Sequence, residues 1–480
     1  MKKKAVVLGL FLSLIAFFSF KLLEIPRGLT LDEAAFGYNA ALLAKTGRDE
    51  NHRFMPLFVL SSSGTDWRQP VTQYYLAALF KLFGPSLFLL RFSSVLIVVG
   101  SVIGLYLLVR ETVGKIGGLA AAVAMITTPL VMIQSHMALD NIMPIPFTLA
   151  WMWAVSRFLK DKSDKWIVMM GVSLGLSMYS YKGMRAIVPV WLLLSALTIF
   201  KVAKKQWLKK VSYLALSSGP FFLIIPWIES RYPGAMMGGA KAVFNNFYEF
   251  LAPYLSSFDI SYWFVTGDLV SIHSTGLHGM YLLASAPWFF LGVFLAIKER
   301  ERFFHFLLAV FFSGPLLFGL VGSVHRFSRL MMMIPIYSLF VGLAVSWAWS
   351  RSRTWKMILL GGALFATINF GDFLRYYWVT FPGITEIYTG VITYKEDLRE
   401  IASISRENKT EPVLSEHVAR SMGEGGKFFQ IIYFGKILRT IGDNVPPKSG
   451  EVLLSAKDNL EDSDLISKPA QFKIFAPKVQ

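Results

Sequence analysis

The stretch LFLLRFSSVLIVVGSVIGLYLLV, residues 87–109, decides the fold class of this chain. Apart from Arg91 and a few small polar residues it is apolar, and it exceeds the about 20 residues that an α-helix needs to cross a bilayer. Similar runs recur along the 480 residues, of which 54% are hydrophobic and only 16% are charged. The sequence therefore predicts a mainly α-helical protein that crosses the membrane many times.

Eleven apolar runs predict about eleven transmembrane helices. The first run follows Lys2, Lys3 and Lys4 as a signal peptide would, but it has no cleavage site flanked by small residues, so we expect an uncleaved anchor. The predicted helices lie near 5–23, 87–109, 116–134, 142–159, 166–180, 186–200, 208–228, 280–297, 303–322, 330–349 and 355–371.

Lysine and arginine are distributed unequally between alternate loops. With a cytoplasmic N-terminus, the inner loops are RETVGK, RFLKDKSDK, KVAKKQWLKK, KERER and RSRTWK, and they are rich in both residues, as the positive-inside rule requires. The net charge of +17 therefore needs no nucleic acid as a partner, although basic clusters can also bind nucleic acid phosphates. Cysteine is absent, which excludes disulfides and cysteine-based metal sites.

Three longer segments are expected outside the cytoplasm. The first outer loop, 24–86, contains two amphipathic helical stretches, at 32–45 and 70–83. A second long outer loop, 229–279, is rich in aromatic residues that suit the membrane interface, and we expect it to bind an acceptor or cover a donor. After the transmembrane domain, 1–371, the segment 372–480 becomes more polar, and GEVLLSAKD and AQFKIFAP indicate strands of a small extracytoplasmic α/β domain.

Two adjacent acids stand at the start of the first outer loop, in GLTLDEAAFGYNA, residues 28–40. Thr30 and Glu33 fit a capping box, with Asp32 in the first turn, where the helix dipole favours an acid. The same two carboxylates also suit a reaction centre. The interpretations are compatible, because a capped helix is a rigid support for a carboxylate.

Other ionisable residues are predicted on the same outer face. Asp140, in HMALDNIMPIP, lies at the end of a predicted span and is either a functional acid or the N-cap of that helix. The cations stand where the positive-inside rule would deplete them, which favours anion binding over lipid contact or simple salt bridges. They are Arg68, Lys182, Arg185, His325, Arg326 and Arg329. Together these residues predict a carboxylate facing a basic patch that binds the phosphate of a lipid.

The need for a metal stays open at this point. Asp32, Glu33, Asp140 and His136 offer ligands for a divalent cation, but their spacing does not compel one. His273 and His278 in the second long outer loop are expected to be solvated rather than metal-bound.

Six motifs in order resemble glycosyltransferase family 39, which includes protein O-mannosyltransferases and lipid A aminoarabinose transferases. They are LDEAAFGYNAALLAKTG, WRQPVTQYYLAALFKLFG, LLRFSSVLIVVGSVIGLYLL, HMALDN, YSYKGMRAIVPV and HRFSRLMMMIP, which lie within residues 1–350. The resemblance implies the C-type glycosyltransferase (GT-C) fold. It also implies an inverting transfer of a hexose or pentose from a polyprenyl-phosphate donor to an acceptor hydroxyl of a protein, lipid or glycan outside the cell membrane.

The resemblance also implies roles for individual residues. Asp32 matches the family's general base, with Glu33 beside it, and Asp140 matches a second acidic position. Arg68 stands at a basic position before a proline, where this chain has RQP instead of a KPP-like motif. Arg185 and Arg326 resemble cations on the phosphate side, supported by Lys182, His325 and Arg329.

Two other classes of protein are compatible with an apolar, charge-decorated chain. A lipid-linked sugar flippase would need partners for charge at the membrane midplane and often shows an inverted repeat, and neither is visible in the sequence. A non-catalytic scaffold for glycan assembly would not need Asp32, Glu33 and Arg68, all of which are present.

Overall fold

The computed structural model describes residues 2–61, 64, 66–236, 246–299, 301–322, 325–388 and 394–478. Short 3-10 and π-helical turns occur at 140–142, 204–206, 262–266, 283–285, 327–333 and 376–380. The α-helices are α1 (Lys2–Ser19), α2 (Leu31–Thr46), α3 (Pro70–Phe83), α4 (Leu87–Thr112), α5 (Lys115–Ile126), α6 (Pro129–Ser135), α7 (Pro144–Asp161), α8 (Asp164–Met178), α9 (Met184–Ala203), α10 (Trp207–Leu223), α11 (Ile225–Arg231), α12 (Phe247–Ser256), α13 (Ala286–Lys298), α14 (Arg302–Ser313), α15 (Leu316–Val321), α16 (Ile334–Trp349), α17 (Arg353–Arg375), α18 (Phe381–Tyr388), α19 (Lys395–Asn408) and α20 (Glu416–Phe434).

The described strands form two sheets. A two-stranded hairpin lies in the first outer loop, and a five-stranded sheet of order β4-β3-β5-β7-β6 lies near the C-terminus. The strands are β1 (Val59–Ser61), β2 (Asp66–Arg68), β3 (Glu411–Ser415), β4 (Arg439–Ile441), β5 (Glu451–Ser455), β6 (Ser463–Ser467) and β7 (Lys473–Pro477). The strands predicted from GEVLLSAKD and AQFKIFAP are confirmed as β5 and β7.

The predicted count of eleven membrane spans is not confirmed. Within the described residues, six helical segments are long and apolar enough to cross a membrane, and a seventh forms if α5 and α6, bent by 61°, are one span. The difference arises because the predicted spans 186–200 and 208–228 lie in one segment, and other helices are short. The six segments are Leu87–Thr112, Asp140–Asp161, Met184–Arg231, Arg302–Val321, Phe327–Trp349 and Arg353–Ile384. The chain is a multi-pass membrane protein.

The chain folds into two compact units. The first, called here the membrane unit, comprises 1–22, 69–72 and 91–381. The second, the outer-loop unit, comprises 23–68, 73–90 and 382–480. The predicted boundary at residue 371 falls inside α17, and the first outer loop groups with the C-terminal segment.

Small residues and buried tryptophans hold the membrane unit together. A Cβ atom added at Gly342 of α16 would lie 2.5 Å from the carbonyl oxygen of Gly117 in α5, so these two helices touch through their backbones. Trp151 and Trp191 stack with their ring centres 4.6 Å apart. The indole of Trp191 also donates a 3.0 Å hydrogen bond to Ser313. Close backbone contact and interhelical hydrogen bonds are the forces that join helices in lipid, where apolar burial drives no association.

The first outer loop supplies the core of the outer-loop unit. The predicted helices at 32–45 and 70–83 are confirmed as α2 and α3. Helix α2 packs against α20 of the C-terminal segment and buries residues 33–41 on all sides, so it does not behave as a surface helix with one apolar face. It ends at Gly47, whose φ of 70° suits a glycine at a helix C-terminus.

The C-terminal segment forms a small α/β domain, as predicted. Strands β3, β4 and β5 are parallel, and β7 joins β5 and β6 in antiparallel pairs. Val413, Leu453 and Phe475 form a hydrophobic cluster on this sheet. The carboxyl group of Asp397 in α19 accepts hydrogen bonds from the backbone of 470–472, which fixes α19 to the chain before β7.

Candidate active site

The capping box predicted at the start of α2 is confirmed. The Thr30 hydroxyl accepts a hydrogen bond from the Glu33 backbone at 3.1 Å, and the Glu33 carboxylate accepts one from the Thr30 backbone at 3.1 Å. Glu33 is fully buried, which leaves the neighbouring acid, Asp32, as the reachable carboxylate of the pair.

The β1–β2 hairpin places a guanidinium beside this acid. Its antiparallel register sets Arg68 opposite Val59, and the Arg68 Nη1 atom lies 2.6 Å from Oδ1 of Asp32. The Arg68 side chain is 5% exposed, whereas that of Asp32 is 60% exposed. The structure therefore joins the two residues that the sequence assigned as base and phosphate-binding cation.

Further contacts fix the Arg68 side chain. Its Nε atom donates to the hydroxyl of Ser61 at 2.6 Å, and Nη1 also lies 3.4 Å from the Asp66 carboxylate. The guanidinium stands 5.1 Å from the ring centre of Phe36. This arrangement holds a buried cation between two acids, with its planar face against an aromatic ring.

The remaining predicted residues belong to the membrane unit. Arg185, at the start of α9, donates through Nη1 to the carbonyl oxygens of Ala235 at 2.6 Å and Met236 at 3.1 Å, and through Nη2 to the side-chain oxygen of Gln69. Glu229 accepts hydrogen bonds from the backbone of Gly234 and Met236. Arg185 thus joins Gln69, which follows Arg68 in the chain, to the beginning of the second long outer loop.

A second charged group surrounds Tyr181. Burial raises the pKa of the Tyr181 hydroxyl, the charges of Asp140 and Asp268 raise it further, and Arg329 and Arg326 oppose the rise. The turn at 140–142 packs against the short helix at 327–333, so the chain brings these acids and arginines together. The Nε atom of Arg326 is buried and has no hydrogen-bond partner among the residues that the structure describes.

Asp140 is not the N-cap of the following helix, so that alternative is wrong. Met143 occupies the N-cap of α7, and Asp140 begins the separate 3-10 turn before it. Lys182 stands in the turn that precedes α9, where its carbonyl oxygen accepts a hydrogen bond from the Arg185 backbone.

His325 is engaged by neighbours in the second long outer loop. Its Nε2 atom lies 3.4 Å from the carboxylate of Asp259, and its ring stacks on Tyr262 at 4.7 Å. Its carbonyl oxygen accepts a hydrogen bond from Leu269. The structure therefore gives His325 a contact with an acid, while its predicted role toward phosphate stays a prediction.

His136, considered as a metal ligand, has another partner, and His273 and His278, expected to be solvated, contact protein side chains instead. His136 is buried, and its Nε2 atom lies 3.0 Å from the carbonyl oxygen of Phe18. His278 bridges Thr275 and Asp372, and His273 contacts Gln134. No group of three or more His, Cys, Asp or Glu side chains suited to a metal occurs within the described ranges.

The structure adds residues that the sequence reasoning missed. Ser61 and Asp66 contact Arg68, Gln69 contacts Arg185, and Tyr181 and Asp268 accompany Asp140. Gln69 and Tyr181 lie inside the quoted motifs WRQP and YSYKGMR. Their position beside a charged candidate residue could have identified them as part of the site. Ser61 and Asp268 carried no such signal, because only the fold brings them to their partners.

Comparison with known proteins gives one matching family. The family described as dolichyl-phosphate-mannose-protein mannosyltransferase matches residues 68–229, about a third of the chain. The matched range includes Arg68, Asp140, Lys182 and Arg185. No curated protein matches the chain.

Solved structures match over almost the whole chain. The apo structure of ArnT from Cupriavidus metallidurans matches with a TM-score of 0.57 and 12% identity, covering 99% of this chain and 98% of that one. The same protein bound to undecaprenyl phosphate matches with a TM-score of 0.55 and 11% identity, covering 98% and 97%. The chain therefore has the GT-C fold, and its predicted resemblance to glycosyltransferase family 39 is confirmed.

Proposed function

We propose that this protein is an inverting glycosyltransferase that moves a sugar from a polyprenyl-phosphate donor to an acceptor hydroxyl on the extracytoplasmic side. The observation that carries the proposal is the ion pair between exposed Asp32 and buried Arg68 in a chain with the GT-C fold. The family match and the undecaprenyl phosphate bound to ArnT support a lipid phosphate as the donor's leaving group.

Asp32 is the general base in this mechanism. A positioned carboxylate takes the proton of the acceptor hydroxyl as that oxygen attacks the anomeric carbon, which accelerates such reactions by about 10²–10⁴-fold. Glu33 supports the base by capping the helix that carries it. Asp140 is the second acid, and its charge raises the pKa of the Tyr181 hydroxyl.

The cations stabilise the negative charge that grows on the departing phosphate. Arg68, Arg185 and Arg326 carry this role, with Lys182, His325 and Arg329 in support, because fixed cations aimed at developing charge lower the barrier without reorganising. A single displacement inverts the anomeric carbon. Hydrolysis by paired carboxylates, as in glycosidases, is less suited, because a phosphate leaving group needs no protonated acid.

The donor and acceptor classes follow from the same chemistry. The leaving group is a polyprenyl phosphate, the transferred sugar is a hexose or pentose, and a protein hydroxyl is the first acceptor to test because of the family match. The N-terminus is cytoplasmic, and the site and the C-terminal domain face outward, as the loop charges indicate. A reporter fused after residue 480 tests this topology.

The decisive experiment compares wild type with Asp32→Asn. Membranes carrying either form are incubated with defined polyprenyl-phosphate hexoses and pentoses, and the products are analysed by mass spectrometry. We expect sugar transfer by wild type, and a loss of about 10²-fold or more in Asp32→Asn, because the amide cannot accept the proton. Sugar that crosses the bilayer without transfer would favour a flippase, and full turnover by Asp32→Asn would refute the base assignment.

A further inference from the structure

The loop after helix α2 contains a carboxyl group that the proposed mechanism does not use. Glu50 is tied to α2 by Asn39, whose amide nitrogen donates to the Glu50 carboxyl at 2.9 Å and whose amide oxygen accepts from the Glu50 backbone at 3.0 Å. The same amide nitrogen also donates to the carbonyl oxygen of Ala35 in α2. Glu50 is therefore attached by hydrogen bonds to the helix that carries Asp32.

The partner of Glu50 comes from the C-terminal domain. The carboxyl group of Glu424 in α20 forms a side-chain hydrogen bond with that of Glu50. Two ionised carboxylates are both acceptors, so this bond needs one proton on the pair. Burial raises the pKa of Glu50 to about 7, the charge and hydrogen bond of Glu424 add to the rise, and Asn39 and Lys427 oppose it.

Other contacts join α2 to α20 around this pair. A Cβ atom added at Gly37 would lie 3.1 Å from the ring of Phe428, so the two helices approach closely at this point. Phe428 also stacks on Phe80 of α3 with ring centres 6.0 Å apart. The ammonium group of Lys45, near the end of α2, donates to the carbonyl oxygen of Gly435, which caps α20.

We propose that the C-terminal domain positions the Asp32 helix, acting through a Glu50–Glu424 clamp that holds only while the two carboxyl groups share a proton. The inference rests on the proposed function for the role of Asp32, but the clamp itself is a property of the fold. Asp32 lies in the first turn of α2, seven residues before Asn39, which is about 10 Å along the helix axis. When the pair loses its shared proton, the Glu50–Glu424 bond between α2 and α20 is lost, while the Asn39 bonds remain, so the first turn of α2 is held less firmly against the C-terminal domain.

The sign of the pH effect follows from the charges that face Glu50. From α20 these are Glu424 and Lys427, and from α2 the neighbours are Asn39 and Tyr38. Burial, with the charges of Glu50 and Glu424, raises the pKa of Tyr38 to about 12, so this hydroxyl stays neutral near pH 7. Because the folded pKa of Glu50 lies above its ordinary value, the stabilisation is complete at acid pH and is lost as pH rises through about 7.

The test uses the full-length protein in lipid nanodiscs and measures hydrogen exchange of the α2 amides at about pH 6 and about pH 8, corrected for the intrinsic rate. The opening equilibrium grows about tenfold for each pH unit between the ordinary pKa of a glutamate and the raised pKa of Glu50, and it levels off above the raised value. We expect α2 of wild type to lose about tenfold protection at the higher pH. In Glu50→Gln, which keeps the hydrogen bonds but cannot ionise, this loss should disappear.

Two variants control the interpretation. Glu416→Gln replaces an exposed glutamate of the same helix that pairs with Arg420, and it should keep the wild-type pH dependence. Phe428→Ala removes the ring contact without changing a titrating group, so it should raise exchange of α2 equally at both pH values. Equal exchange in wild type and Glu50→Gln at both pH values would overturn the clamp. A loss of the pH dependence in Glu416→Gln would also overturn it.

Turnover separates this inference from the proposed function. The transfer rate of wild type should fall above about pH 7, while that of Glu50→Gln should hold there, because ionisation of Glu50 alone loosens the helix. A pH-dependent exchange of α2 in a protein that transfers no sugar would retain the clamp and reject the transferase. Sugar transfer by a protein whose α2 exchange is independent of pH would retain the transferase and reject the clamp.

Discussion

Arg68 of the first outer loop and Arg326 of the segment 325–333 differ in the partners of their guanidinium groups. Arg68 is almost fully buried and bonded to Asp32, with Asp66 and Ser61 also in contact. Arg326 has a buried Nε atom without a hydrogen-bond partner among the described residues, and the nearby acids around Tyr181 are balanced by Arg329. In the proposed mechanism, Arg68 must therefore exchange a protein carboxylate for phosphate, whereas Arg326 has a buried donor atom that is not engaged by a described residue.

This difference assigns two separate tasks to the cations. If phosphate takes the place of Asp32 on Arg68, donor binding releases the Asp32 carboxylate toward the acceptor, so Arg68 couples donor binding to base catalysis. In the proposed mechanism, Arg326 needs no such exchange and stabilises the phosphate without orienting the base.

The largest effect is expected for Arg68→Gln. The substitution removes a charged donor from the phosphate and also leaves Asp32 without its orienting partner, so kcat/KM for the donor should fall about 100-fold, the upper end for charge-assisted hydrogen bonds. Steady-state kinetics with a defined polyprenyl-phosphate sugar measures the change. Arg53→Gln, which removes an arginine beside Trp67 of the same hairpin, is the matched control. Unchanged kcat/KM for the donor in Arg68→Gln would contradict a role of Arg68 toward the phosphate.

A smaller effect is expected for Arg326→Gln. Removing one cation that stabilises the departing phosphate without orienting the base should lower kcat/KM for the donor about tenfold. Binding of polyprenyl phosphate alone, measured by calorimetry in detergent, should weaken by the same factor. Unchanged kcat/KM for the donor together with unchanged phosphate binding would contradict a role of Arg326 toward the phosphate.

The comparison also shows which features the sequence could predict. The capping box at Thr30 and Glu33 could be predicted, because it depends on a spacing of three residues within one helix turn. The pairing of Asp32 with Arg68 followed from motif order and family resemblance. Its geometric cause, the β1–β2 register, joins residues far apart in the chain and could not be read from periodicity.

Packing between distant segments was the least predictable feature. Hydropathy marks apolar runs but does not distinguish an exposed helix from a buried one: the apolar window of the segment Arg353–Ile384 is 6% buried, whereas that of the segment Phe327–Trp349 is 83% buried. The grouping of the first outer loop with α20 depends on a glycine opposite a phenylalanine, and neither residue signals the other. These contacts depend on tertiary shape, which one sequence does not encode in any local pattern.

The smallest effect is expected for Glu33→Gln, and it sharpens the distinction between the two adjacent acids. Glutamine retains an oxygen that can accept the hydrogen bond from Thr30 but loses the negative charge at the N-terminus of α2, so stability should fall by about 0.3–1 kcal/mol. Thermal unfolding followed by tryptophan fluorescence measures this shift, and kcat should remain within about twofold of wild type. If Glu33→Gln instead abolished transfer while Asp32→Asn retained it, the buried acid would be the base and α2 would have to open for each turnover.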